Sequence, residues 1–261
     1  TLPRSARIQG CSRRGVGNPP NTIGSGIQAA FAGPVFEASP GALTSYDVTI
    51  AHLTIRGDKA TFPAGHGSNL ANVADVTLTN LVIANFGTNN INLASTANHI
   101  YIRDVYSAQA GNANFFTAAP HGSFQKAVSD GGVFGLDIAA GGSNTSIYDS
   151  HFEGATTAQI RVGDVRTRIV GNFINPTAGA ADGIRVNANR TTIQGNDIAG
   201  STSTRGIDVA SGIIEYRIAN NLISSFATAL RVNDGFGTIT GNILEGQTTG
   251  LEVVSATSFY I

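Results

Sequence analysis

Near-copies of one short segment recur along the second half of this chain: "RIVGNFIN" at 168–175, "RTTIQGNDIAG" at 190–200, "YRIANNLIS" at 216–224 and "TITGNILEG" at 238–246. A single copy reads as a small hairpin, because a β-branched run broken by Gly and Asn is a turn signal. Near-copies at almost constant spacing mean something else. Aligned on the polar residue between the two apolar runs, the series is His52, Asn80, Asp104, Ser150, Asn172, Asn196, Asn221 and Asn242, with successive gaps of 28, 24, 46, 22, 24, 25 and 21. Self-similarity with a period in the twenties is the mark of a solenoid, in which each repeat buries its apolar face against its neighbours. The runs are Val-, Ile-, Thr- and Leu-rich with period 2, and no long 3.6-period segment is present. A helical array and a leucine-rich horseshoe are therefore disfavoured.

Each rung divides into three strands. In the clearest one, "TTI" (191–193) precedes Gly195-Asn196, "DIA" (197–199) follows, and a Gly/Ser/Thr loop leads to "GIDV" (206–209). Strands of this kind pair with their equivalents one turn above and below, about 4.8 Å away, and stack Ile and Val inside. Asn suits the bend, since it tolerates left-handed backbone and bonds nearby peptide groups. Stacked Asn side chains can also bond one another in a ladder. The gap of 46 is nearly double the rest, so the segment between Val105 and Leu136 is expected to carry one long loop insertion near 107–134.

The cadence I-x-G-N-x-I … G-I-x-V, from about residue 33 to 261, resembles the right-handed parallel β-helix proteins of the pectate lyase superfamily. The opening "LPRSARIQGCSRRG" is similar to an early segment of that family. The resemblance implies an all-β, right-handed parallel β-helix with three strands per rung, about nine rungs and a single domain over 1–261. It also implies a polysaccharide partner, because the superfamily includes lyases, glycoside hydrolases, epimerases and phage tailspikes. An extracellular or virion-surface location and a homotrimer follow from the tailspike members, with a monomer left open. A chain of 261 residues that has no Met and begins at Thr1 is expected to be a processed or excised part of a longer one.

In this frame the G-I-x-V strand is the first of each rung, and its outer face forms the substrate groove in many family enzymes. Side chains alternate faces along a strand. The outward position is then Glu37, Asn69, Asn92, Asp137, Arg161, Arg185, Asp208, Arg231 and Glu252. Only 13% of the chain is charged, so six successive ionisable groups on one face form a distinct stripe. One account is a solvated ladder of opposite charges. The other is a glycan groove in which Arg161 and Arg185, adjacent and mutually repelling, grip an anionic sugar through their forked donors. The substrate-binding candidates are Arg161, Arg185, Asp208 and Arg231 on the stripe, with His121 and Lys126 from the expected insertion, which also holds Phe115 and Phe116. Such loops on rigid scaffolds carry function disproportionately often.

Glycoside hydrolysis needs two carboxyls about 5–5.5 Å apart for retention or about 6.5–9.5 Å for inversion. Asp137 and Asp208 lie three rungs apart, about 14 Å at strand spacing, which is too far. Asp137 with Asp164, one rung on, is the catalytic pair the sequence favours, with Asp130 and Glu153 as alternatives. A lyase would draw its base from Arg161, Arg185 or Lys126. No cofactor is implied. The five histidines show no metal-ligand spacing, and no dense Asp cluster is present, so no metal is expected. A net charge of −1 gives no footprint for nucleic acid or an anionic membrane. No apolar run approaches the roughly 20 residues of a membrane span. Cys11 is the only cysteine, which excludes an internal disulfide. Three functions stay open: cleavage of a glycan, binding without cleavage, and a structural spike or stalk.

Overall fold

The computed structural model describes residues 5–9, 26–28, 34–38, 47–177, 181–255 and 258–260. Cys11 and most of the opening segment fall outside them. Among the described residues there is no helix, and every strand pairing is parallel. The chain is a parallel β-helix with three sheets.

The first sheet stacks Phe36–Ala38, Ser68–Leu70, Ile91–Leu93, Ala113–Thr117, Phe134–Ile138, Ala158–Val162 and Asp182–Val186. It continues through the ends of Asp197–Val209 and Leu222–Val232 to Thr249–Val253. Its inward column of Ile91, Phe115, Leu136, Ile160, Ile184, Ile207 and Leu230 is shut off from solvent, and Leu251 is half-buried near the last rung. The second sheet contributes Ile50, Leu78, Ile102, Phe124, Ile147, Ile169, Ile193, Ile218 and Ile239 to the same core. Each fully buried side chain of this size stabilises by about 1.5–3 kcal/mol against exposure.

The expected insertion is a complete rung. Its segment supplies Ala113–Thr117 to the first sheet, Gly122–Gln125 to the second and Val128–Asp130 to the third. These strands pair in register with the rungs on both sides. The doubled gap was a repeat whose landmark had been replaced, and the helix gains a rung over the sequence count.

The landmark itself resolves into two adjacent columns at the bend between the second and third sheets. His52, Asn80, Asp104, Lys126, Asp149, Gly171, Gly195, Asn220 and Gly241 occupy the left-handed position, with φ between 48° and 66°. The following residue is Leu53, Leu81, Val105 and Ala127 in the early rungs, then Ser150, Asn172, Asn196, Asn221 and Asn242 in the later ones. The expected ladder exists in this second column. The Nδ2 of Asn172, Asn196 and Asn221 each donates to the Oδ1 of the next Asn, at 3.0, 2.9 and 2.9 Å. The left-handed turn belongs to the residue before each Asn, where Gly carries it without steric cost. The early rungs fill the ladder's place with apolar side chains, so they show no Gly-Asn signature.

A second amide network was not expected. Asn90 and Asn114, fully buried at the entry to the first sheet, bond each other at 3.0 Å and reach Ser107 and Ser129 at 3.0 and 2.8 Å. Those two serines interrupt the otherwise apolar inward column of the third sheet. Every buried polar atom they introduce finds a partner within the pair of rungs, as burial requires.

Candidate glycan groove on the first sheet

The outward column of the first sheet runs Glu37, Asn69, Asn92, Phe116, Asp137, Arg161, Arg185, Asp208, Arg231 and Glu252. It is the column expected from the sequence, with Phe116 added by the unrecognised rung. A second row lies three residues earlier on each strand: His66, Asn89, Ala113, Phe134, Ala158, Asp182, Arg205 and Thr228. The two rows run side by side along the helix axis, and this face is the candidate groove.

Its upper half is a lattice of ion pairs. The Nε and Nη2 of Arg161 both donate to the carboxylate of Asp137, at 2.6 and 2.5 Å, and the guanidinium lies 4.2 Å above the ring of Phe134. Asp137 is 1% exposed, so this bidentate contact neutralises a buried charge. Arg185 donates to Asp182 at 3.0 and 2.6 Å, and Asp182 also accepts from Thr204 at 2.7 Å. Arg205 reaches Asp208 at 3.1 Å, and Arg231 reaches Glu252 at 3.6 Å. The expectation of two unpaired, mutually repelling arginines is therefore corrected. Each has its own carboxylate, and each keeps its Nη1 clear of that contact.

Its lower half is built from amides. Asn92 donates to Asn69 at 2.7 Å, Asn89 to Asn92 at 3.0 Å and Asn112 to Asn89 at 3.1 Å. The Asn89 backbone N–H donates to Nδ1 of His66 at 3.4 Å, which leaves Nε2 as the protonated nitrogen of a neutral ring. Burial pushes the His66 imidazole below its ordinary value. His66 is therefore uncharged at neutral pH and stands in no ion pair among the described residues. Between the halves sits Phe116, half-buried on the outer face, while its neighbour Phe115 is in the core, edge-on to Phe124 at 5.9 Å. The two rings are split: Phe115 anchors in the core, and Phe116 lies on the outer face against Ala113, Phe134 and Ala158.

The remaining sequence candidates lie elsewhere. Asp164 is at the corner after the first sheet, where its carboxylate accepts from the backbone N–H of Gly141 and, at 2.6 Å, of Val165. That is a turn-capping role one rung above Asp137, and the structure does not bring the two carboxylates onto one face. His121 lies at the corner between the first and second sheets, stacked on His99 at 5.3 Å. Lys126 occupies the left-handed bend between the second and third sheets. Neither flanks Asp137, because the segment that carries them is a rung and not a loop over the groove. Asp130 and Glu153, the alternative carboxyls, are register neighbours on the third sheet. There Tyr106 donates to Asp130 at 3.2 Å and His151 approaches Glu153 to 3.3 Å. Burial and then the Asp130 charge raise the Tyr106 phenol to about 12.

His66, Asn89 and Asn112 were not singled out in the sequence, and Phe116 was placed in a loop insertion instead of on a first-sheet strand. The signal for Phe116 was available: "ANFFT" aligns with "FGLDI" and "AQIRV" as a first-sheet strand. Among the described residues, no group of three or more His, Cys, Asp or Glu side chains gathers as a metal site.

Among solved structures, the A-module of the mannuronan C-5 epimerase AlgE4 of Azotobacter vinelandii superposes with a TM-score of 0.71 at 13% identity, over 98% of this chain and 88% of that chain. The pectate lyase Pel9A matches with a TM-score of 0.47 at 12% identity, over 99% of this chain and 79% of that one. No family model matches the chain, and neither does any curated protein. At these identities the likeness shows the fold alone, a parallel β-helix.

Proposed function

We propose that this chain binds a polysaccharide along the outer face of the first sheet, centred on the rungs of Asn92, Phe116 and Asp137. The observation that carries the proposal is Phe116. It is a half-buried aromatic ring at mid-column, packed on the Ala113, Phe134 and Ala158 cluster, with Asn92 and its amide ladder one rung below and the Asp137–Arg161 pair on the rungs above. A ring of this kind offers an apolar platform to a sugar face, and the amides can donate to and accept from hydroxyls. Arg161 and Arg185, already held by Asp137 and Asp182, present their free Nη1 groups as fixed donors. Such preorganised contacts cost little ordering on binding. The epimerase module with this fold belongs to an enzyme whose substrate is mannuronan, which favours the same ligand class.

Action on the bound glycan is a second reading, and His66 favours it. It is a titratable group of that face outside the ion-pair lattice among the described residues, and its neutral form is favoured by burial. In that reading His66 moves the proton, and Asp137 positions Arg161. Asp137 and Asp164 as an acid–base pair stand behind it, since each is engaged in its own contacts. The extracellular or virion-surface setting and the homotrimer are further proposals from the tailspike resemblance; sedimentation equilibrium separates trimer from monomer.

The test is a glycan array followed by titration calorimetry of the retained sugar with Phe116→Ala and Asn92→Ala. Each variant is expected to lose affinity by about tenfold, equivalent to about 1.4 kcal/mol. If both bind as the parent does, the groove is not the site. Product analysis with His66→Gln then separates turnover from binding.

A further inference from the structure

The corner between the first and second sheets carries its own left-handed column: Asp75, His99, His121, Asn144, Arg166, Arg190 and Glu215, with φ from 44° to 60°. Arginine is an uncommon occupant of this backbone region. Rung-to-rung backbone bonds fix it there, from Asn144 to Val165 at 3.1 Å, Arg166 to Asn189 at 3.2 Å and Arg190 to Ile214 at 3.0 Å. Two residues further on, the outward positions of the second sheet stack Ser146, Arg168, Thr192 and Arg217. Asn144, Ser146, Arg166, Arg168, Arg190 and Thr192 line a shallow depression of about 340 Å³.

Three arginines lie in that lining, and no carboxylate does. Arg190 reaches Glu215 beyond its rim at 2.5 Å. Arg166, Arg168 and the adjoining Arg217 are exposed and have no ion-pair partner among the described residues. In a chain of net charge −1, this is a local concentration of uncompensated cations.

We propose that this depression binds the anionic groups of an acidic polysaccharide lying along the helix axis. Arg168 and Arg217 stand two rungs apart in one column, about 9.6 Å at strand spacing, with Arg166 beside Arg168 at the corner, so the cations follow the helix axis and suit a linear polymer that repeats its charge. Guanidinium forks fit the planar or tripodal oxygens of carboxylates and sulfate esters. Asn144, Ser146 and Thr192 supply an amide and two hydroxyls for sugar hydroxyls. No aromatic ring lines the depression, which argues against single-stranded nucleic acid, where base stacking is the usual platform. The site shares with the groove only the class of ligand; its residues lie on a different face.

The substitutions that test it are already present in neighbouring rungs: Arg166→Asn takes the residue at Asn144, and Arg168→Thr takes that at Thr192. Both positions are exposed, and Asn tolerates the left-handed backbone. The parent, the double variant and Asn92→Ala are titrated with a hexameric oligogalacturonate, a sulfated oligosaccharide of equal length, its neutral counterpart and inorganic sulfate. The parent is expected to bind one or both acidic oligomers in a salt-dependent way, and the double variant to lose at least about tenfold. Which acidic oligomer binds tighter identifies carboxylate or sulfate as the recognised group. Unchanged affinity in the double variant overturns the proposal, as does inorganic sulfate matching the oligomers or a single-stranded oligonucleotide outcompeting them. A loss confined to Asn92→Ala overturns this site and leaves the groove standing; a loss confined to the double variant does the reverse.

Discussion

On the first sheet, Arg161, Arg185, Arg205 and Arg231 each reach a carboxylate, whereas at the next corner Arg166 and Arg168, a few residues along the same stretch of chain, reach none among the described residues. The difference is set by register. A first-sheet arginine finds an acid either one rung away in its own column, as Asp137 and Glu252 are, or three residues along its own strand, as Asp182 and Asp208 are. At the corner, the equivalent neighbours of Arg166 are Asn144 and Arg190, and those of Arg168 are Ser146 and Thr192. Identical side chains therefore serve as cross-braces on one face and as open donors on the other.

The largest effect expected from this contrast is on stability. Arg161→Ala strands the buried Asp137 carboxylate, at a cost of about 3–5 kcal/mol in urea unfolding. Arg168→Thr should stay within about 0.5 kcal/mol. Equal costs for the two would break the comparison. Asp182→Asn comes next: it removes the charge that holds Arg185 while its amide oxygen can still accept from Thr204, for a loss of about 1–3 kcal/mol.

The third sheet sharpens the contrast, since Asp130 and Glu153 are partnered there by Tyr106 and His151 and by no arginine. The Tyr106 phenol is raised in the folded state, so the protonated form is the stabilising one. Its contribution is complete below about pH 10, the unfolded value, and is lost as pH rises through about 12. Tyrosinate absorbance should show the Tyr106 and Tyr216 phenols titrating late in the parent, and Asp130→Asn should bring the Tyr106 titration down part of the way, since burial still holds it above the ordinary value. His66 has the opposite sense. Its folded value is lowered, so its contribution is present above the ordinary histidine range and is lost as pH falls below it. His66→Gln should flatten a small acid-side decline in stability.

Much of this was legible in the sequence, and the gaps have physical causes. The charged column from Asp137 to Glu252 could be read from alternation alone, because each strand of that stretch keeps an apolar residue on either side of the outward position. The rung at 107–132 could not be aligned by its bend. Lys126 takes the left-handed place that Gly fills later, and Ala127 stands where Asn would join the ladder, so the polar landmark vanishes. Phe116 was lost with it, and His121 and Lys126 were assigned to a groove they do not touch. The pairing state of the arginines was hidden for a different reason. Asp182 and Arg205 lie outside the outward column, three residues along the strand, and come into reach only once the turn into the first sheet is known.

The central claim is that a polysaccharide lies on the first sheet across the Asn92, Phe116 and Asp137 rungs. Amide hydrogen exchange with and without the sugar retained on the array tests it most directly. The account predicts added protection in Ile91–Leu93, Ala113–Thr117 and Phe134–Ile138, and no change in Val128–Asp130 or His151–Glu153 on the third sheet. Protection confined to the third sheet, or none on the first at saturating sugar, would contradict it.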